Sequence, residues 1–587
     1  MDASNNFQSF SSLLIYFCTC ALFFLVLACV FCIYKNYRTL RSTVVRAHTD
    51  SVALPALPEA DLYLLDLVRH VYGYSDRELR QDVGVEGWVY VSFHRDAVRV
   101  VGIMTAAAGA VLLPTYLSAG SWRDIGSYSL LSIQGRERLQ WIPLGALLLF
   151  TGVLVMFLFQ FSTKVKRELL RAEGGVAART LEIANFPVQT DLNAFAKVIE
   201  EAVRVQLRPA FDSPDAVEAV EVVPDLNPAY AVLLQLKRAL QLRKYYLETE
   251  EIEGKAVYRV SLCSSVPAVP HFSALVKSLQ SQYRTAVSLH HQSLGVAYVT
   301  LRSRPLLLHV LHNFKSEAVQ AEYSPQRWRL RKAPNPKEIL WENLTKRKVS
   351  RLWVANVLFL VLFFVVLTPF AFQHYIEVVL GFLHLTSVLQ NYLTPVLIYT
   401  YQQLVLKRTV LGLVKLERHS RASQAAISVF YKYYVYSLVY SFLLPMLGIQ
   451  TLHILYQWLI AAEQKAWESI VGAAMNSSGF VFTQVVINHC FVSNGLDLLQ
   501  HSKYIKAVFR AALSRLPQDK VRAFEAEPFP FGSAYAETTG VLLTVAAYAV
   551  AYPLILPFGL LYFLLRVSHY AARYPEVQFA MFLHSDF

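Results

Sequence analysis

The chain has 587 residues, 55% of them hydrophobic and only 17% charged, with a mean hydropathy of +0.36. Soluble domains carry about 25% charged residues, so the composition excludes an ordinary soluble domain and indicates a polytopic membrane protein. The formal net charge of +13 fits basic cytosolic loops facing anionic headgroups better than it fits a nucleic-acid partner.

The first apolar run, Ser11 to Tyr34, lacks a basic segment before it and exceeds a signal-peptide core, so it reads as a retained span. Lys35, Arg38, Arg41 and Arg46 follow it and place the N-terminus outside. Cys18, Cys20, Cys29 and Cys32 lie in this run, with Cys263 and Cys490 far away. They read as small packing residues, with S-acylation of Cys29 or Cys32 as the alternative; neither a disulfide framework nor a metal site is expected. A second span starts near Val98, an outer loop covers Ser121 to Gln140, and a third span runs from Trp141 to Phe161 into "STKVKRELLR". No span-length apolar run follows until Leu352 to Phe372 and about Val378 to Leu404. After the basic loop "LKRTVLGLVKLERHSRASQ" come about Ile427 to Ile460 and about Ser478 to Leu499. A second basic loop precedes Tyr535 to Ala551 and Pro553 to Val567, a pair that Pro553 and Pro557 should bend into a hairpin. The fold class is therefore a polytopic α-helical membrane protein of about nine spans, each of roughly 20 residues, with every Lys/Arg-rich loop on one side.

The intervening cytosolic segment reads as α+β. "RTLEIANFP" predicts a strand and turn, Leu192 to Val205 a helix, "LQLKRALQLRKYYLETEEIEG" and "SALVKSLQSQYRTAVSL" two long helices, and "LGVAYVTLRS" another strand. Strand, helix, insertion, strand resembles a split RNA-recognition fold. RNA binding is not expected, because the strand that should present stacking rings has Leu294, Gly295 and Val296 and keeps only Tyr298.

"VVINHCFVSNGLDLLQ" (485–500) is apolar enough for a membrane yet carries amides and a carboxylate. At about 100° per residue, Thr483, Cys490, Asn494 and Asp497 fall on one arc, and Ser477, Gln484, Asn488 and Gly495 on a second. Such stripes must face other helices or water; interhelical hydrogen bonding and a pore-lining face both satisfy that. Further polar positions lie in neighbouring spans: Asn391, Thr394, Tyr399 and Gln402; Tyr436, Ser437, Tyr440 and Ser441; Glu537, Thr538 and Thr539. His374, Glu377 and His384 read as a solvated outer turn. Adjacent His489 and Cys490 point about 100° apart and form no dyad, and no phosphate loop, zinc spacing or nucleophile elbow occurs. No enzymatic activity, metal or cofactor is expected.

One family unites these stretches. "APNPKEILWENLTKRKVSRLW", "VYVSFHRDAVRV", "RTLEIANFP", "LGVAYVTL", "KLERHSRASQ" followed by "YKYYVYSLVYSFLLPMLG", "SNGLDLLQ" and "YPLILPFGLLYFLLR" together resemble the OSCA-type, calcium-permeable, stress-gated cation channels, which share an anoctamin-like architecture. The resemblance runs from about residue 60 to 575. It implies a mechanosensitive or osmosensitive cation channel whose pore is lined by spans within 352–551. Its partners would be membrane lipids and permeant cations (Ca2+, Na+ and K+), with no nucleic acid, as a monomer or a homodimer. The implied location is the plasma membrane, with an endolysosomal or other internal membrane as the alternative. A phospholipid scramblase using the same groove, or a non-conducting regulatory protein, are the other readings. Asp497 stands where relatives usually place Glu, and would attract cations near the cytosolic mouth; Gly495 could serve as a hinge or as a close-packing position. Relatives usually continue through two more spans beyond the hairpin. The implied division is 1–34, first span; 35–97, cytosolic linker; 98–162, second and third spans; 163–349, RNA-recognition-like cytosolic domain with a helical insertion; 350–568, six-span pore-forming region; and 569–587, cytosolic tail.

Overall fold

The computed structural model describes residues 10–46, 75–119, 124–133, 135–172, 174–186, 191–207, 216–253, 257–259, 265–288, 292–314, 328–344, 349–365, 397, 400–446, 467–499, 501–514 and 529–572. The first helix, α1 (Phe10–Arg46), continues beyond the expected end of the first span. The next, α2 (Asp76–Ala107), extends through a π-turn (Ala108–Leu112) into a last helical stretch (Leu113–Ala119). It starts 22 residues before the expected second span because Ser75 and Glu78 form a reciprocal cap, satisfying backbone donors that a helix start otherwise leaves bare. A break at Gly84, with φ +76°, separates this polar first turn region from the apolar remainder. Thus the segment expected as a linker, 35–97, is helical over 35–46 and over most of 76–97. α3 (Trp141–Ala172) returns beside α2.

The cytosolic segment then runs β1 (Thr180–Ala184), α4 (Leu192–Leu207), β2 (Val217–Pro224), α5 (Asn227–Glu253), β3 (Val257–Arg259), β4 (Ser265–Pro267), α6 (Ala268–Ser288), β5 (Ser293–Leu301), α7 (Arg304–Asn313) and β6 (Arg329–Lys332). Four strands form one antiparallel sheet in the order β2-β5-β1-β6. This is a β-α-β-β-α-β topology with α5, α6 and the β3–β4 hairpin inserted at its middle. One face of the sheet alternates apolar residues inward, so Leu181, Ile183 and Val299 bury against Phe195 and Ile199 of α4 and Leu307 of α7. Strands β2 and β6 were not expected from sequence: β6 reads "RLRK" and β2 "VEAVEVVP", both with charge on the outward face. The inserted helices α5 and α6 pair through Leu236, Ala239, Val276 and Leu279.

The membrane region follows: α8 (Val349–Val365); a π-turn (Gln402–Leu406) leading into α9 (Lys407–Glu417); α10 (Ala422–Tyr436), continued by a π-turn (Ser437–Leu443); α11 (Trp467–Asn488); a π-turn (His489–Ser493) leading into α12 (Asn494–Leu498); α13 (His501–Leu513); α14 (Phe531–Tyr548); and α15 (Ile555–Ala572). Among the described residues three helices are long and apolar enough to cross a membrane, over Phe10–Phe31, Gly84–Ala119 and Glu137–Arg171; Ser350–Phe363 and Ile555–Val567 are shorter apolar helices. The tight return at Pro553 joins α14 to α15, which pack against each other.

Among the described residues the cytosolic sheet grips the membrane region through Glu182. Glu182 of β1 is almost fully buried and accepts hydrogen bonds from Arg331 Nη2 at 2.6 Å and Arg421 Nη2 at 2.7 Å. Arg421 precedes the first turn of α10, and its backbone bridges Ile339 while Leu340 donates to Ser420 at 3.0 Å. Behind it, Glu417 at the end of α9 receives Lys432 Nζ at 2.6 Å, Ser428 Oγ at 2.7 Å and His419 Nε2 at 2.6 Å. Burial works to raise the Glu417 carboxyl, but the hydrogen bonds from Lys432, Ser428 and His419 outweigh it and hold the group below its usual range. A depressed carboxyl contributes stability that is present above its unfolded value and lost as pH falls through the folded one. Glu417→Gln should therefore lower the thermal midpoint at neutral pH, since it strands the buried Lys432 ammonium at a cost of about 3–5 kcal/mol. Because the folded value lies below the usual carboxylate range, the gap between variant and wild type should persist from pH 7 to about pH 5. It should close only as pH falls through the folded value, as melting of the purified protein from pH 7 to about pH 2 would show.

Candidate functional site

The polar stretch of the sequence lies on α11 and α12 and the π-turn between them, and almost all of it is inside the protein. Thr483, Cys490 and Asn494 are buried. The π-turn spans five residues, His489 to Ser493, and brings Ser493 Oγ within 3.3 Å of His489 Nδ1. Such a turn accommodates one extra residue and rotates everything beyond it back by about 100° relative to a continuous α-helix. The single arc expected for Thr483, Cys490, Asn494 and Asp497 is therefore split. Thr483 turns to its own backbone, donating to the Gly479 carbonyl at 2.9 Å, whereas Asn494 and Asp497 face α15.

There they meet Arg566. Its guanidinium, 5% exposed, donates from Nη1 to Asp497 Oδ2 at 2.6 Å and to Asn494 Oδ1 at 3.2 Å, and from Nη2 to Glu537 Oε2 at 3.0 Å. Two carboxylates from two helices share one cation from a third. Tyr433 on α10 adds a hydroxyl that donates to Glu537 Oε1 at 3.3 Å. Asn494 also donates to the Cys490 carbonyl at 3.0 Å, which fixes its amide so that the oxygen faces the arginine. Charge-assisted bonds of this kind are strong where water is excluded, and a buried arginine requires them. Sequence reasoning passed over Arg566 although it closes the quoted motif "YFLLR". The available signal was its cost, since a lone arginine in an apolar helix at membrane depth needs a partner.

Beside this cluster a cleft of about 60 Å3 opens between α10 with its π-turn, α11 and α14, with Tyr436, Ser437, His489, Glu537, Gly540 and Thr544 in its walls. That volume admits water. The structure thus assembles Asn494, Asp497, Glu537, Tyr436 and Ser437 around one place. Tyr436 is buried against Phe363 and Tyr440, and the Tyr440 hydroxyl donates to the Phe363 carbonyl at 2.6 Å, tying α10 to α8. Gln484 and Asn488 are half-buried outside the cleft walls, and Asn488 Oδ1 has no hydrogen-bond partner among the described residues. A Cβ on Gly495 would come within 2.8 Å of Leu27 Cδ1 and 3.2 Å of Phe24 Cδ2, so the missing side chain is what lets α1 pack there. Gln402 opens the π-turn before α9; Asn391 lies outside the described residues, as do Thr394, Tyr399, His374, Glu377 and His384.

Two further features were not foreseen. His94 of α2 is fully buried and bridges the Tyr90 carbonyl (2.8 Å) and Thr538 Oγ1 (3.3 Å), bracing α14 one residue from Glu537. Phe491 turns to α1, with ring centroids 5.4 Å from Phe17 and 6.0 Å from Phe24, while Val481 faces outward at 46% exposure. Among the described residues no group of three His, Cys, Asp or Glu side chains could hold a metal ion.

Comparison with known proteins matches both regions. Residues 351–575 fit the family described as calcium-dependent channel, 7TM region. Residues 199–343 fit the cytosolic domain of a 10TM family named for phosphate transport. The chain is 23% identical over 543 residues to the mechanosensitive cation channel TMEM63B of Gallus gallus, covering 86% of this chain and 65% of that protein. It is 23% identical over 539 residues to the osmosensitive cation channel TMEM63C of Rattus norvegicus, covering 85% and 65%. To the hyperosmolality-gated Ca2+ permeable channel 2.3 of Arabidopsis thaliana it is 20% identical over 548 residues, covering 85% and 74%. The chain thus spans 65% of the length of the first two of these relatives. A cytosolic domain and, after it, a helical membrane region are both matched, and the chain is similar along most of its length to channels of the OSCA/TMEM63 type.

Proposed function

We propose that the chain forms a cation pathway gated by membrane tension or osmotic stress, running through the cleft between α10, α11 and α14. The observation that carries this reading is the convergence of Asp497 and Glu537, from two helices, on one buried guanidinium beside that cleft. It is joined by similarity along most of the chain to proteins named mechanosensitive and osmosensitive cation channels. Arg566 acts as a tethered cation on the carboxylates that a permeant Ca2+, Na+ or K+ would otherwise occupy. A state of larger in-plane area gains free energy under tension. Separation of α12, α14 and α15 would lengthen the arginine's bonds, and hydrated cations would then replace it at Asp497 and Glu537.

The same reading takes residues 163–349 as an RNA-recognition-like cytosolic domain, for which the strand order β2-β5-β1-β6 is the support. It keeps about nine spans, the pore within 352–551, the plasma membrane as location, and a monomer or homodimer. Gln484, Asn488, Thr483, Tyr440, Asn391 and Gln402 remain secondary lining positions in the open state.

Two measurements test it. In liposome patches of the purified chain, stretch should evoke cation current, and Asp497→Asn should reduce conductance or cation selectivity. Absence of current from correctly inserted protein would overturn conduction and favour lipid scrambling or a regulatory role. In detergent, Arg566→Met alone should destabilise the protein by about 3–5 kcal/mol by stranding two buried carboxylates. Adding Asp497→Asn and Glu537→Gln should recover most of that loss; an additive further loss in the triple variant would show that the three groups do not act as one cluster.

A further inference from the structure

A second, larger groove lies away from the cluster, between α2 and α3, with a volume of about 380 Å3. Asp96, Arg99 and Ile103 line it from α2, and Val153, Met156 and Lys164 from α3. On each helix these positions recur at three, four or seven to eight residues, so each set forms one face. Because the helices run in opposite directions, the lining is sorted by polarity. Asp96, Arg99 and Lys164 gather at the end facing the cytosolic loops, and Ile103, Val153 and Met156 occupy the other, roughly 10–16 Å along the axes.

The charged end is partly fixed in place. Lys164 Nζ donates to Ser92 Oγ at 2.6 Å and lies 5.4 Å from the Trp88 ring centroid. The carboxylates of Asp96 and Asp76 stand 3.5 and 3.6 Å from it, and Asp76 also takes Arg95 at 3.4 Å. Arg99 meets Asp96 at 2.9 Å, yet its side chain is 75% exposed, and such an open pair adds little stability. Arg99 lines the groove at this end. The apolar end is bare: Ile103 is 59% and Met156 55% exposed, on helices long and apolar enough to cross a bilayer.

We propose that this groove binds one phospholipid of the cytosolic leaflet, its phosphodiester held by Arg99 and Lys164 and one acyl chain laid along Ile103, Val153 and Met156. Three cations, Arg95, Arg99 and Lys164, against the two carboxylates Asp76 and Asp96 leave a formal +1 at the charged end, matching a phosphodiester. The apolar run behind them distinguishes a lipid from free phosphate, which would leave that run uncovered. Lys164 is preorganised by Ser92 and Trp88, so little side-chain freedom is lost on binding. The inference requires that α2 and α3 cross the bilayer, and does not depend on conduction. It bears on the site described above all the same, since α2 also carries His94.

The test uses the purified full chain in nanodiscs containing phosphatidylcholine with a photoreactive diazirine in its acyl chain, and maps crosslinked peptides by mass spectrometry. Labelling should concentrate on the peptides of Ile103, Val153 and Met156, above that of Leu22 and Leu25 on the outward face of α1, which are comparably exposed. Arg99→Gln with Lys164→Gln should cut groove labelling at least about fivefold, leaving α1 labelling unchanged. Val153→Trp, which keeps the charges and fills the groove, should do the same and covers the case in which the charge variant misfolds. Labelling that is equal on α1 and the groove, or that survives both variants, would show annular lipid only and overturn the proposal.

Discussion

A guanidinium inside a membrane protein cannot be solvated by lipid, and the packing of the membrane region turns on that constraint. Arg566 has to find acceptors within reach of its fork, and it finds them on two other helices. Meeting that need sets the rotation of α12, which must present Asn494 and Asp497, and of α14, which must present Glu537. The π-turn before α12 supplies the first of these rotations. His94 supports the second by bonding the residue beside Glu537. Small residues make the approach possible, Gly495 against Leu27 and Gly540 against Ser437.

The same constraint extends to the cytosolic domain through contiguous contacts. Glu182 in the sheet holds Arg421, which stands at the start of α10; α10 carries Lys432, pinned to Glu417, and then Tyr433, bonded to Glu537. From Arg421 to Tyr433 the helix covers about 18 Å. A rigid element with charged anchors at both ends is a physical means by which displacement of the sheet reaches the cluster. The outer groove between α2 and α3 shares with that cluster the helix α2, which bears His94.

How much of this could be read beforehand depended on how local each feature is. The strand at Thr180–Ala184, the helix from Leu192, the paired insertion helices and the strand from Ser293 follow from patterns of adjacent residues, and their positions match the expectation closely. β6 escaped notice because a four-residue edge strand reading "RLRK" has no apolar alternation strong enough to mark it. The helix from Asp76 was read as linker because its first turns are polar, although Ser75 and Glu78 spell a cap. In the polar stretch, the residue types were legible but their facing was not. Arcs drawn at a constant turn fail across a π-turn, whose formation depends on packing against α1 and α15.

By itself the sequence determined that the chain belongs in a membrane, where its apolar helices and its α+β segment lie, and that the polar stripes within 477–497 must face other helices or water. These are consequences of composition and of local backbone preference, which act within a few residues. Only the tertiary structure decided which polar groups meet. Asp497 and Glu537 are 40 residues apart in the chain and Arg566 is another 29 further on. Their common point exists because three helices pack so that one buried cation is satisfied. Electrostatic pairing between distant segments carries no local signature, so the letters around Arg566 show that it needs partners and only the fold shows which ones they are.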